Sequence, residues 1–217
     1  MADIFHEVDE DLRRERLAKL WDRFAPYIVG VALLIVVGVG GWRANEYWQL
    51  RRSEAASTAF ESAIALAESG QVAEADAAFA SLSETAEIAA YRSMARLRRA
   101  SLQTASDPKA AAAAFDAIAA DNAVSRTFRD LAALRASFIL VDSASFDEMR
   151  QRLEPLTGAQ GTFRHSAREL LALSAWRAGN MAEARRRSDE IVNDPESPAG
   201  LRQRMQALSA LAGENKG

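Results

Sequence analysis

Two stretches decide the fold: Gly70-Gln71-Val72-Ala73-Glu74-Ala75, followed by Phe79 and Leu82, and Gly179-Asn180-Met181-Ala182-Glu183-Ala184, followed by Ser188 and Ile191. They match step for step. Between them, Ala111, Phe115 and Ile118 keep the same four- and three-residue steps, as do Met149, Leu153 and Leu156. The corresponding positions Ala75, Ala111, Met149 and Ala184 are separated by 36, 38 and 35 residues, close to the period of about 34 residues of tetratricopeptide repeats. That spacing serves packing. A small residue early in the second helix of each pair lets it approach the first, and the large residues one and two turns later fill the groove between neighbouring pairs.

Working outward, the first helices of the pairs are expected at 53–69, 87–103, 124–141 and 162–178, and the second helices at 72–84, 108–120, 145–155 and 181–193. A last helix at 198–212 is expected to cap the open end, because a terminal repeat otherwise exposes an apolar face. Gly70 and Gly179 fall in turns between paired helices, where positive φ favours glycine. Asp107-Pro108 and Pro195 mark other helix boundaries. The tryptophan, glycine and tyrosine usual in first helices are largely replaced by Ala, Ser, Leu and Arg.

Composition agrees with an all-α chain. Only 11 Gly and 5 Pro occur in 217 residues, and the β-branched residues gather in one stretch, so no β-sheet is expected. The net charge of −3 argues against nucleic acid as a partner bound through the overall field. With no cysteine, disulfides, thiol catalysis and cysteine-ligated metals are excluded.

The β-branched stretch has its own meaning. From Phe24 to Trp42 nineteen residues carry no charge, bounded by Arg23 and Arg43; as a helix they span roughly 28 Å, close to the thickness of a bilayer's hydrocarbon. Ile28 to Val39 shows no polar face. A retained transmembrane helix over 24–42 is therefore expected, with the lipid bilayer as its environment. Tyr27 at one end and Trp42, Tyr47 and Trp48 at the other suit the two lipid interfaces. Five basic residues, Arg13, Arg14, Arg16, Lys19 and Arg23, precede the span, against Arg43, Arg51 and Arg52 after it; that bias places residues 1–23 in the cytoplasm and 43–217 beyond the membrane. Gly30, Gly38 and Gly41 fall near one helical face, a candidate contact for another transmembrane helix.

In the tail, Ile4 or Phe5, Val8, Leu12, Leu17, Leu20, Trp21 and Phe24 recur at mostly three- and four-residue steps among charges, describing an amphipathic helix. No Gly or Pro interrupts the chain from Ala44 to Ser69, so the span can run on into the first repeat helix, with Gly40-Gly41 the place for a bend.

Nothing in the sequence resembles an enzyme. His6 and His165 are expected on opposite sides of the membrane, His165 on a helix surface, and no phosphate loop or nucleophile elbow occurs. No catalytic, cofactor or metal-binding residue is assigned. The basic clusters Arg96, Arg98, Arg99 and Arg185–Arg187 read as a solvated face neutralised by Glu183, Asp189 and Glu190, with contact to anionic headgroups or an acidic partner as the functional alternative.

A charged tail, one span ending in Gly41-Trp42-Arg43, a continuing helix with Ala55-Ala56-Ser57 and Phe60 leading to Gly70, then Ala175 through Ala184 and a final Pro198, Leu201 and Met205 together resemble the ancillary subunits of the bacterial Sec translocon. The likeness covers essentially the whole chain. It implies a single-pass inner-membrane protein with a periplasmic repeat domain and a non-enzymatic role, without a cofactor. The implied partners are the translocon channel subunits, a membrane-anchored periplasmic chaperone of the peptidyl-prolyl isomerase type and newly exported client proteins. An envelope scaffold or regulator acting through the cytoplasmic tail is the alternative function.

Overall fold

The computed structural model describes the backbone of residues 3–214, and the side chains of residues 21, 27, 30, 31 and 33–213. Among these residues nine α-helices and no strand occur: α1 (Asp3–Glu68), α2 (Val72–Thr85), α3 (Ala89–Gln103), α4 (Pro108–Ala119), α5 (Arg126–Leu140), α6 (Phe146–Leu153), α7 (Arg164–Arg177), α8 (Met181–Val192) and α9 (Ala199–Glu214). The chain forms two compact units, residues 1–54 and 55–217, described separately below.

Residues 3–54 are helical, and the helix continues through Gly40-Gly41. Val31, Leu33 to Val37 and Val39 are all exposed, with Val37 at 69%. Among the described residues no helix is long and apolar enough to cross a membrane, so the expected span has no support there. Phe24, Ala25, Pro26, Ile28, Val29 and Ala32 of that span lie outside the described side chains, as do His6 and, Trp21 apart, the apolar positions of the expected amphipathic tail.

In residues 55–217 the end of α1 and the eight following helices run antiparallel, each packed on its sequence neighbours. The first expected helix, 53–69, is the end of the much longer α1, and the expected second helix of the third pair is split. Pro155 lacks the N–H that would bond back to Gln151, so α6 stops at Leu153 and a 3-10 turn, Glu154–Leu156, completes the stretch.

The core repeats from pair to pair. Phe60 of α1 meets Phe79 of α2 and Tyr91 of α3 edge to face, with ring centroids 5.6 and 5.8 Å apart. Leu97, Phe115, Ile118 and Ala132 fill the next layer, then Leu134, Met149, Leu153 and Leu170. Helix α9 closes the stack, laying Leu201, Met205 and Leu208 on Ala172 and Ile191.

Capping residues set the helix ends. Asp107 accepts a hydrogen bond from the Ala110 N–H at 2.9 Å and Pro108 follows at the first helical position, where a missing N–H costs nothing. Ser145 and Glu148 form a reciprocal capping box at the start of α6. The glycine turns are the same device used twice: Gly70 at φ 80° and Gly179 at φ 76°. In the first, Gln71 N–H reaches Leu66 O at 2.9 Å and Gly70 N–H reaches Ala67 O at 3.1 Å; in the second, Asn180 reaches Ala175 at 2.9 Å and Gly179 reaches Trp176 at 3.0 Å. Both are Schellman motifs, in which a left-handed residue satisfies the last carbonyls of the helix.

The even-numbered helices are stitched together by ions. Arg152 of α6 pairs with Asp116 of α4, and Arg187 of α8 reaches Glu154 at 2.6 Å. The second basic cluster is paired, yet Arg187 is buried at 5% exposure rather than solvated. It lies beneath Glu183, which it bonds at 2.9 Å, and so bridges two repeats. The Arg186 guanidinium, donating to Glu183 at 2.8 Å, is the main reason that carboxylate titrates at about 2 against an ordinary 4.5; burial opposes the shift and Arg187 adds to it.

Two outcomes follow from these contacts. Alanine at Gly70 or Gly179 lowers stability by about 1–2 kcal/mol, the cost of a side chain in the left-handed region. Alanine at Gly158, where φ is not positive and an added Cβ meets nothing within 4 Å, leaves the urea midpoint within about 0.5 kcal/mol of the parent. A folded-state pKa below the unfolded one stabilises above the unfolded value, and that stability is lost as pH falls through the folded value. Glu183→Gln therefore costs about 1–2 kcal/mol at neutral pH after allowance for solvent screening. The gap to the parent closes between about pH 4.5 and 2 in urea titrations.

Candidate functional site

The two faces of the repeat unit differ in kind. The odd-numbered helices α3, α5, α7 and α9 touch one another in succession. Small buried residues recur in one register along the first helices: Ala63 on α1, Ala100 on α3, Ser137 on α5 and Ala175 on α7, at intervals of 37, 37 and 38 residues; Ala63 shares its core layer with Ala75 of α2, Ala100 with Phe115 of α4, and Ala175 with Ala184 of α8. A large core residue precedes each of the first three: Phe60, Leu97 and Leu134.

Once that register is fixed, the outward positions follow. On α5 the residues Phe128, Leu131, Arg135 and Phe138 stand at steps of three and four and therefore share one face. The equivalents on α3 are Tyr91, Met94, Arg98 and Ser101, and on α7 Ser166, Glu169, Leu173 and Trp176. Phe138 is 47% exposed and Trp176 41%, unusual for such large side chains in a packed helical stack.

Between the end of α1, α3 and α5 this face opens into a cleft of about 300 Å³, with Phe115 of α4 at its base. Phe60, Met94, Leu97, Phe128 and Leu131 supply apolar wall, and Arg98 and Arg135 supply charge. The first basic cluster divides here. Arg96 pairs with Asp121 at 2.6 Å and Arg99 with Asp76 at 2.9 Å, while Arg98 turns to the cleft. Further along, Glu169 on α7 is engaged by Arg204 of α9 at 2.9 Å.

Such a surface is suited to binding. A partly exposed apolar trough with a few fixed polar groups takes up side chains of a peptide or protein. Among the described residues no group of three or more histidines and carboxylates is placed to hold a metal. His165 differs from its expected place on a helix surface: its side chain is 15% exposed. Its Nδ1 lies 3.0 Å from Ser197 Oγ and 3.8 Å from Asp194. Desolvation first, then the Arg164 charge, lowers its pKa. With Arg164 and Arg168 also on Asp194, the group ties the start of α7 to the loop before α9.

The residues singled out for repeat packing, Ala75, Phe79, Ala111, Phe115, Met149, Leu153, Ala184 and Ile191, are all buried, and Gly70 and Gly179 hold the turns. They build the scaffold; of them only Phe115 borders the cleft. Tyr27, Trp42 and Trp48 are exposed. Gly30, Gly38 and Gly41 have no described atom within 4 Å of an added Cβ, and Arg43 lies 3.6 Å from Glu46. The cleft residues were missed because the repeat was found through its second helices. The signal that locates them is the small-residue column Ala63, Ala100, Ser137 and Ala175, which is present in the sequence.

No curated protein and no solved structure matches the chain. A tetratricopeptide repeat-like domain matches residues 18–208, and with its stacked antiparallel pairs and recurring small-residue contacts the chain belongs to that family.

Proposed function

We propose that the chain is a non-enzymatic, membrane-tethered accessory subunit of the bacterial Sec export machinery. Residues 24–42 cross the inner membrane, 1–23 lie in the cytoplasm, and 43–217 form a periplasmic domain that engages the channel, a chaperone of the peptidyl-prolyl isomerase type and exported chains. The observation that carries the reading is the open apolar face of the odd-numbered helices. Tetratricopeptide-like repeats serve protein–protein interaction, and an apolar trough left open in a folded stack is what such a function needs.

The membrane anchor draws on different support. Val31, Leu33, Leu34, Ile35, Val36, Val37 and Val39 lie on every side of one helix, and all are exposed. In water each such side chain forgoes about 1.5–3 kcal/mol of burial, and no folding of one helix can hide them all. A hydrocarbon surround removes the conflict. The export role draws on the sequence resemblance, which runs through the span, the glycine turns and the last helix.

Photo-crosslinking in cells tests both parts. Probes at Val37 and Trp42 are expected to capture channel subunits, and a probe at Phe138 to capture exported chains or the folding helper. Products confined to other envelope or regulatory proteins replace the export role with that of a scaffold. Replacing Leu34 and Val37 by Arg, at about 2.5–3.5 kcal/mol each in a span's centre, is expected to release the protein from sedimented membranes. If the parent itself washes off in carbonate, the anchor is wrong.

A further inference from the structure

The cleft has a charge pattern that narrows its occupant. Arg98 and Arg135 occupy the same register on adjacent helices, 37 residues apart, and both line the same apolar trough. Neither makes a hydrogen bond or ion pair among the described residues, in a domain where Arg96, Arg99, Arg152, Arg187 and Arg204 all do. The nearest equivalent carboxylate on α7, Glu169, is held by Arg204. On α1 the register position belongs to Glu61, which forms no ion pair with Arg98.

We propose that this cleft binds an acidic, apolar segment of a partner protein. Its Asp or Glu side chains are held by Arg98 and Arg135, and its apolar side chains sit against Met94, Phe128 and Leu131. The inference rests on the protein-binding reading above and deepens it by naming the partner's chemistry. Guanidinium groups are weakly hydrated and present paired donors to a carboxylate, so two of them at an apolar wall favour a negative ligand over its neutral isostere. Neighbouring helices lie about 8–10 Å apart. Two acidic side chains two residues apart in an extended segment, roughly 7 Å, fall within reach of both arginines.

The test uses the full-length chain in detergent and a fluorescein-labelled peptide blocked at both ends, in which Glu alternates with Leu and Phe. Its twin carries Gln at every Glu. By fluorescence anisotropy the acidic peptide is expected to bind about tenfold tighter, a preference that weakens with salt. The double variant Arg98→Gln, Arg135→Gln is expected to lose the preference while its urea midpoint stays unchanged, since both side chains are exposed and unpaired. Lys109→Gln, which removes an exposed charge at the start of α4, is expected to leave it intact. Equal binding of the twins, no binding of either, the same loss in the Lys109 variant, or binding only when the peptide's C-terminus is free would each overturn the proposal. Partners crosslinked at Phe138 with no charge preference would keep the protein-binding role and remove this one.

Discussion

Helices of eight to sixteen residues cannot bury an apolar stripe alone, and everything in the repeat unit depends on how closely the two helices of each pair approach. Ala63, Ala100, Ser137 and Ala175 keep the first helices narrow where they are buried, and Ala63, Ala100 and Ala175 share core layers with Ala75, Phe115 and Ala184 of the second helices. With a methyl group or a hydroxymethyl at each of these positions a second helix can come close, and Phe60, Leu97 and Leu134 fill the core layers beside them. Ser137 keeps the size rule by returning its hydroxyl to the Ala133 carbonyl at 2.8 Å, so its polar atom costs the core little. A larger residue in this column would force the two helices of its pair apart and strain the core layer it sits in.

The odd-numbered helices touch one another in succession, and the other side is joined differently. The even-numbered helices are linked through long charged side chains, Arg152 to Asp116 and Arg187 to Glu154, which span gaps that methyl groups cannot. The same division settles which face can bind. Ion pairs that already satisfy one another offer a partner little, because a newcomer must break them before gaining anything. On the odd face, aromatic and aliphatic side chains remain exposed and two guanidiniums remain unpaired. The asymmetry of the fold is thus an asymmetry of available chemistry.

Much of this was legible in the sequence, and the part that was not has a physical reason. The second helices announced themselves because Ala75, Ala111 and Ala184 begin a regular small-then-large pattern, and because glycine at 70 and 179 marks a backbone angle that few other residues adopt. The first helices carry an equally regular column, but one written in alanine and serine inside an alanine-rich chain, where it hardly stands out. Without that column the direction of Arg98 could not be assigned, so it merged with basic residues that proved to be paired, and Arg135 was not singled out at all. Arg187 illustrates the opposite error. In a run of three arginines nothing local distinguishes the buried one; only Glu154, more than thirty residues away, does. His165 was misplaced for the same reason, since Ser197 and Asp194 close over it from another segment.

The proposed membrane anchoring would also change what the cleft must achieve. Side chains that remain 41% to 47% exposed give up only part of their apolar area to a partner, so each contact is weak, and partly exposed ion pairs add about 0.2–1 kcal/mol apiece. Free in solution, such a surface would hold a segment briefly. In the proposed role, held at a membrane beside a site where chains emerge, it would meet them at an effective concentration that a short tether can raise to about the millimolar range. Weak contact would then be useful contact, because the proposed role asks that a chain still folding be released as readily as it is caught. A shallow trough with a modest charge preference fits that requirement better than a deep pocket would.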